Sequence, residues 1–383
     1  MRRSGYATLR LHGGRAPAWL ITRMTRLSEA IFEAMAEVYS PKEILFRLSD
    51  PFFFQSCSNV LGFDWDSSGS TTVTCGVLKE AFDRVDVGIR GIGGKGKHPK
   101  AINEISKLES LSLSKQQISR ISYASKISAK VDTAAIQAGY GLYHHTVFAE
   151  EEGSWIVIQQ GMRPKDHLAR RFHWSSDEVR DFVVEPHKAI IGFRHESVLD
   201  MTAKESEKSR NACVDLVRER TSRLHRLFQS IEKEAQPSLE RWLGQDNCLK
   251  QKTYSIPHRV NWGSLERLYM DPPTNFEELL GSPGVGPSTI RGLTLLAELV
   301  FGEEPSWRDP VKYSFAFGGK DGVPFPVDRR AMDEATEIIG SAVQAAKLGD
   351  RERLNALARL RTQIDLSVCG TLRQSFYFSS LLG

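Results

Sequence analysis

"GLYHHTVFAEEEGSWIVIQQGM" runs from Gly141 to Met162. Two runs rich in β-branched and aromatic residues flank a Glu-Glu-Glu-Gly-Ser turn, the pattern of an antiparallel hairpin. The run Trp155–Ile158 is continuously apolar, as in a buried strand. Polar groups gather at the end away from the turn, with His144 and His145 on one strand and Gln159 and Gln160 on the other. Neighbouring strand residues point to opposite faces, so only one of the two histidines can serve a given site. Glu150, Glu151 and Glu152 at the turn read as a solvent-facing tip.

Working outward, "YATLRL" (Tyr6–Leu11) alternates like a strand, and Trp19–Tyr39 has helical periodicity. Asn59–Trp65 reads as a strand and Ser67-Ser68-Gly69-Ser70 as a turn ending in a helix N-cap. Thr72–Phe82 then reads as a helix, Asp86–Ile92 as a strand and "GGKGK" (Gly93–Lys97) as a glycine-rich exit loop. That order predicts a β-loop-α-β crossover. Residues 99–137 look helical, and Phe182–Phe193 supplies one strand or two short ones. The expected fold is an α/β N-terminal domain with a mixed sheet over 1–197, holding a phosphate or phosphodiester site. A long charged connecting helix over 198–236, read as a solvated strut, leads to a helical domain over 237–365 and an atypical tail over 366–383.

The 383 residues are 40% hydrophobic and 26% charged. That is ordinary for a globular chain, and no apolar run is long enough to span a membrane. No secretory signal is visible, and five scattered cysteines argue for a reducing compartment rather than a disulfide framework or zinc ribbon. The expected location is the cytoplasm. The net charge of +4 permits a polyanionic partner without requiring one.

"FEELLGSPGVGPSTIRGLTLLAELVF" (Phe276–Phe301) resembles the helix-hairpin-helix element of DNA repair and recombination proteins. Gly284 and Gly286 flank Val285 in a tight turn that lets backbone amides approach a phosphate. The next helix would add its unpaired amides and positive dipole end. Ser288 and Thr289 would add hydroxyls and Arg291 a charge. Such contacts hold backbone without reading sequence. The alternative is a plain glycine-rich turn. Asp328 stands where helix-hairpin-helix glycosylases place a catalytic aspartate, although Ser288 occupies the position of their covalent lysine. A helix-capping role for Asp328 is the simpler reading.

The hairpin 141–162 resembles the phospholipase D-like phosphodiesterases, whose strand carries a nucleophilic histidine and a lysine two residues on. Here Thr146 or Val147 takes the lysine position and "QQGM" replaces the Gly-Ser-x-Asn element, so the cations would come from Lys95 and Lys97. Six of the ten histidines lie between His144 and His195, which favours catalysis there. His144 or His145 would act as nucleophile or general acid/base, with Glu185 orienting a histidine. Arg170, Arg171 and His173 would neutralise phosphate, Gln159 and Gln160 would donate amide hydrogen bonds, and Ser67 and Ser68 would cap a phosphate at the helix start. No cofactor is needed for a histidine mechanism. The rival is a divalent metal held by His144, His145, Asp132 and Glu185.

"LHGG" at Leu11, "SSG-TT" at Ser67, "GGKGK" at Gly93, "GYGLYHH" at Gly139, "WIVIQQGM" at Trp155, "ARRFHW" at Ala169 and "EPH" at Glu185 together resemble a prokaryotic family, domain of unknown function 763. The resemblance covers nearly the whole chain to about residue 360 and implies an archaeal or bacterial cytoplasmic protein, with Asp66 standing where that family is expected to carry histidine. The expectation from these residues is a DNA-processing nuclease, a hydrolase with DNA as its partner, no membrane and a possible homodimer. The alternatives are a non-catalytic DNA-binding repair or recombination module, and a base-excision glycosylase.

Overall fold

The computed structural model describes residues 9–11, 14, 16–62, 68–96, 100–230, 257, 260–312 and 329–360. Asp66, Ser67, Lys97, Asp328 and the tail 366–383 lie outside the described residues. The protein is mixed α/β, built on a six-stranded sheet with helices on both faces.

The hairpin is β4 (Gly141–Glu150) and β5 (Trp155–Arg163), antiparallel, with Gly153 taking a φ of 91° in the turn. β2 (Ile89–Lys95) pairs with β4, and β6 (Leu168–Ser175) with β5. β1 (Leu9–Arg10) and β7 (Ala189–Gly192) both pair with β6, at Leu168–Ala169 and at Arg170–His173. Every pairing among the described residues is antiparallel, in place of the mixed sheet with a crossover. β3 (Ile136–Gln137) and β8 (Leu199–Asp200) form a separate small pair.

One face of the sheet is covered by α1 (Ala18–Ala36), α2 (Pro41–Ser49), α3 (Pro51–Leu61) and α4 (Gly69–Arg84). α3 stands where Asn59–Trp65 was expected to begin a strand. Asp50 caps it by accepting from the amides of Phe52 and Phe53, Pro51 opens it, and Gly62 ends it with a φ of 107°. Each of these is a recognised helix-end device. A short apolar run does not separate strand from buried helix, and the end signals decide for the helix.

The other face meets α5 (Lys100–Asn103), a 3-10 turn (Ile105–Leu111), α6 (Lys115–Lys130) and a π-helical turn (Val131–Ala135). The same core then continues into α7 (Glu207–Val217), α8 (221–230), α9 (Trp262–Met270), α10 (Phe276–Gly281) and α11 (Pro287–Phe301). The charged stretch after Val198 is therefore not one strut. It breaks between α7 and α8, and α7 buries Cys213, Val214, Leu216 and Val217 against α11. α12 (Arg329–Ala345) and α13 (350–360), expected within the helical domain 237–365, share a core with α1 and α3. Arg359 donates from Nε to the Val60 carbonyl at 2.7 Å. Cys57, Cys75 and Cys213 are free and buried, and no described helix is long and apolar enough to cross a membrane.

Candidate functional site

The open end of the hairpin is where β2 finishes, β4 begins, β5 finishes and β6 begins. Register places Lys95, His144, Gln160 and Arg171 side by side across four strands. Directly opposed residues share a face, so these four form one row, and it looks toward α3 and α4. Gln160 anchors the start of α4. Its carbonyl oxygen accepts from the Thr71 hydroxyl, and its amide donates to the Ser68 carbonyl at 3.0 Å and the Tyr143 hydroxyl at 2.6 Å. The first turn of α4 thus sits over the row with no side-chain cap of its own.

His144 is buried. Its Nε2 lies 2.9 Å from the Thr146 hydroxyl, and its Nδ1 has no hydrogen-bond partner among the described residues. Burial, together with the charges of His145, Lys95 and Lys79, pushes its pKa down to about 3. The ring is therefore neutral at pH 7. The buried Ser70 hydroxyl in the same turn of α4 also lacks a partner among the described residues. Arg171 donates to Gln55 Oε1 at 3.0 Å and lies 4.9 Å over the Phe54 ring, and burial lowers its pKa to about 9. His173 is on the same face but lower, bonded to the Ser49 carbonyl at 3.0 Å, and burial holds it well below its usual pKa.

The opposite face carries a polar network centred on Asp132, with His187 Nδ1 and Arg170 Nε and Nη1 left without a hydrogen-bond partner among the described residues. His145 contacts Ser125 through Nε2 at 2.8 Å and donates from Nδ1 to Gln159 Oε1 at 2.7 Å. Gln159 passes the chain on to Asp132 Oδ2, which also accepts from Trp174 Nε1 at 3.1 Å, while Asp132 Oδ1 accepts from His187. Asp132 belongs to the π-helical turn, a feature frequent at functional positions. Beside this network Arg170 is buried in an ion pair with Asp309 at 2.6 Å and lies 4.7 Å over Tyr140.

The expected residues therefore divide. His144, Gln160, Arg171, Ser68 and Lys95 come together, whereas His145, Gln159 and Arg170 lie on the other face. Neither the histidine pair nor the arginine pair acts jointly. Glu185 is exposed, with a φ of 46° and a 3.6 Å contact to Lys204; the carboxylate that orients a histidine is Asp132, on His187. The four candidate metal ligands are scattered likewise, and no group of three or more His, Cys, Asp or Glu among the described residues is placed to hold a metal. The sequence does not single out Thr71 or Tyr143 for the site, although Thr71 directly follows the turn Ser67–Ser70. Asp309 escaped it too, since its partner is far away in the chain.

The hairpin between α10 and α11 is the second feature. Gly284 takes a φ of 81°, and a Cβ there would meet Ser264 Oγ at 2.1 Å. Only glycine fits such a position. Val285 is buried as the anchor. The hairpin's carbonyls are drawn inward. That of Pro283 accepts from Ser264 at 3.2 Å, that of Gly284 from Asn261 at 3.2 Å, that of Val285 from Lys130, and that of Pro287 from Gln137 at 2.9 Å. Gly286 caps α11 in extended backbone without a side-chain bond, and since Pro287 carries no N–H, the amides of Ser288 and Thr289 open the helix without a side-chain cap. Thr289 is buried, and Arg291 is half-buried over Trp307 at 5.6 Å. The inward phase of α11 takes both from the exposed tip.

Residues 5–327 match the family described as "Protein of unknown function (DUF763)". The chain belongs to that family. No curated protein and no solved structure matches it.

Proposed function

We propose that this DUF763 protein binds the sugar-phosphate backbone of a nucleic acid, DNA in the first instance, through the hairpin 283–289. The observation that carries this is the one-sided bonding of the turn. Its carbonyls are occupied by Ser264, Asn261, Lys130 and Gln137, while the start of α11 offers uncapped amides. A surface with acceptors withdrawn and donors presented suits phosphate oxygens and reads no base.

Gly286 gives a clean test. It sits in extended backbone, and a Cβ added there would meet nothing within 4 Å, so substitution is not strained. Gly286→Asp installs a favourable helix cap and at the same time puts a carboxylate where phosphate would lie. The expected outcome is unchanged or slightly higher thermal stability with at least tenfold weaker duplex binding by fluorescence anisotropy. Equal affinity in the variant overturns the reading.

A second reading is favoured by the row on the α4 face: hydrolysis of a phosphodiester with His144 as the reacting base or nucleophile. With Nε2 donating to Thr146, the Nδ1 lone pair has no partner among the described residues; the low pKa leaves the ring neutral but weakly basic, and a phosphate anion bound beside it would raise that pKa toward the working range. Lys95 and Arg171 would balance phosphate charge, and the Ser70 hydroxyl at the start of α4 would donate to one of its oxygens. Incubation of labelled single- and double-stranded DNA with and without EDTA tests it. EDTA-resistant cleavage lost in His144→Gln and kept in His145→Gln supports it, and binding without cleavage leaves the backbone-gripping module alone.

A further inference from the structure

The 283–289 hairpin opens sideways into a cleft. Ser282 and Pro283 form one wall together with Ser264 and Arg267, and Arg220, Thr221 and Ser222 at the start of α8 form the other, enclosing about 1120 Å³. Thr221 and Ser222 also line a second cleft of about 570 Å³, with His225, Arg226 and Trp262. The two clefts therefore meet at Thr221 and Ser222, the larger bordering the hairpin and the smaller an aromatic floor. A cleft of a few hundred cubic ångströms is the size of a small-molecule site and exceeds what one nucleotide fills.

Its chemistry changes along its length. The larger cleft is mixed in charge, since Glu266 and Asp271 line it beside Arg220 and Arg267. The smaller has one arginine, two hydroxyls and no carboxylate. His225 and Trp262 are already stacked, with ring centroids 4.4 Å apart and planes 30° from parallel. Phe228 meets the indole edge-on at 5.5 Å, a favoured aromatic geometry that holds the platform in place. His225 and Arg226 are exposed and Trp262 is partly exposed. α8 is itself anchored, because Phe228 lies where a side chain on Gly292 of α11 would have to go, 2.6 Å from such a Cβ. The platform is thus fixed relative to the helix whose start would hold the phosphate.

We propose that this smaller cleft is a base-stacking subsite, taking one unpaired nucleobase of a strand whose backbone also rests on the hairpin. This deepens the backbone-binding reading and rests on it: the preferred substrate is then single-stranded nucleic acid, or a duplex with an unpaired nucleotide, rather than a continuous duplex. Stacking on His225 and Trp262 supplies affinity without base identity, Arg226 lies beside the base as a cation, and the hydroxyls of Thr221 and Ser222 meet the sugar or the base edge. The carboxylates of the larger cleft disfavour a second phosphate there, so the strand crosses it with its base end forward.

The test compares three probes on the full chain by fluorescence anisotropy at low salt: a labelled thymidine 12-mer, the same strand with abasic residues, and a 12-base-pair duplex. The wild type is expected to hold the thymidine strand roughly fivefold to a hundredfold more tightly than the abasic strand. His225→Ala and Arg226→Ala, both at exposed positions, and Trp262→Leu are expected to shrink that ratio toward one, with thermal unfolding confirming the fold of each. Equal binding of thymidine and abasic strands by the wild type, with the duplex still bound, overturns the base subsite and leaves the hairpin reading standing. An unchanged ratio in all three variants overturns it as well. Failure to bind any of the three probes overturns both proposals.

Discussion

The two faces of the sheet carry similar chemistry at the same end, and they use it differently. Each has one histidine and one glutamine of the 141–162 hairpin and one arginine of β6. On the α6 face, His145, Gln159 and Arg170 are bonded to Ser125, Asp132 and Asp309, while Arg170 Nε and Nη1 and His187 Nδ1 are buried without a partner among the described residues. On the α4 face, Gln160 is satisfied, but His144 Nδ1 and Ser70 Oγ are buried without a partner among the described residues. Buried polar atoms are nearly always paired, because an unpaired one forfeits its hydration for nothing. Unpaired buried atoms thus occur on both faces; the α4 face differs in that His144 Nδ1 and Ser70 Oγ lie by the start of α4, which has no side-chain cap, and there a ligand can complete the bonding, whereas the α6 face is organised around the Asp132 hub.

The sharpest way to break this contrast is to remove the hub of the α6 face. Asp132→Leu leaves His187, Gln159 and Trp174 without their acceptor. Urea unfolding should show a loss of about 3 kcal/mol or more.

Acid separates the faces next. His144, His145 and His173 all have folded-state pKa values below the ordinary 6.5, with burial as the main cause. The unfolded chain takes up their protons first as pH falls, so their contribution to stability is complete above about pH 6.5 and is lost below it. The urea midpoint should fall between pH 7.5 and pH 5. In His144→Gln that decline should be shallower, since the fall for His144 extends toward pH 3.

At pH 7.5 the same His144→Gln change should cost no more than about 1 kcal/mol, because only the Thr146 contact is lost. His145→Gln breaks two bonds and should cost more. Comparable losses would erase the distinction between the faces. Smallest of all is Lys95→Ala, at the exposed end of the row. It should shift stability by less than about 0.5 kcal/mol, while weakening inorganic phosphate binding measured by calorimetry.

What could be read in advance follows from how local each signal is. The hairpin 141–162 was legible because turn, apolar runs and polar ends lie in one short stretch. The start of α4 was legible from "SSGSTT". β6 was not, since "ARRFHW" looks like a basic surface patch until its arginines meet Asp309 and Gln55, 139 and 116 residues away. No pattern along the chain announces such partners. Glu185 suggested itself as the carboxylate for a histidine because it lies two residues from His187 in sequence, and the fold brings Asp132 to that histidine instead. The hairpin 283–289 was visible in its glycines, but the inward turn of Thr289 and Arg291 depends on how α11 packs.

The claim on which the rest depends is that the amides of the 283–289 hairpin meet phosphate. The most direct measurement is a TROSY spectrum of protein labelled with nitrogen-15 glycine, titrated with a short duplex at low salt and again at high salt. The largest shifts should fall on Gly284 and Gly286 and fade as salt rises. Shifts confined to Gly93, Gly94 and Gly96 at the end of β2, with the hairpin glycines unmoved, would contradict it.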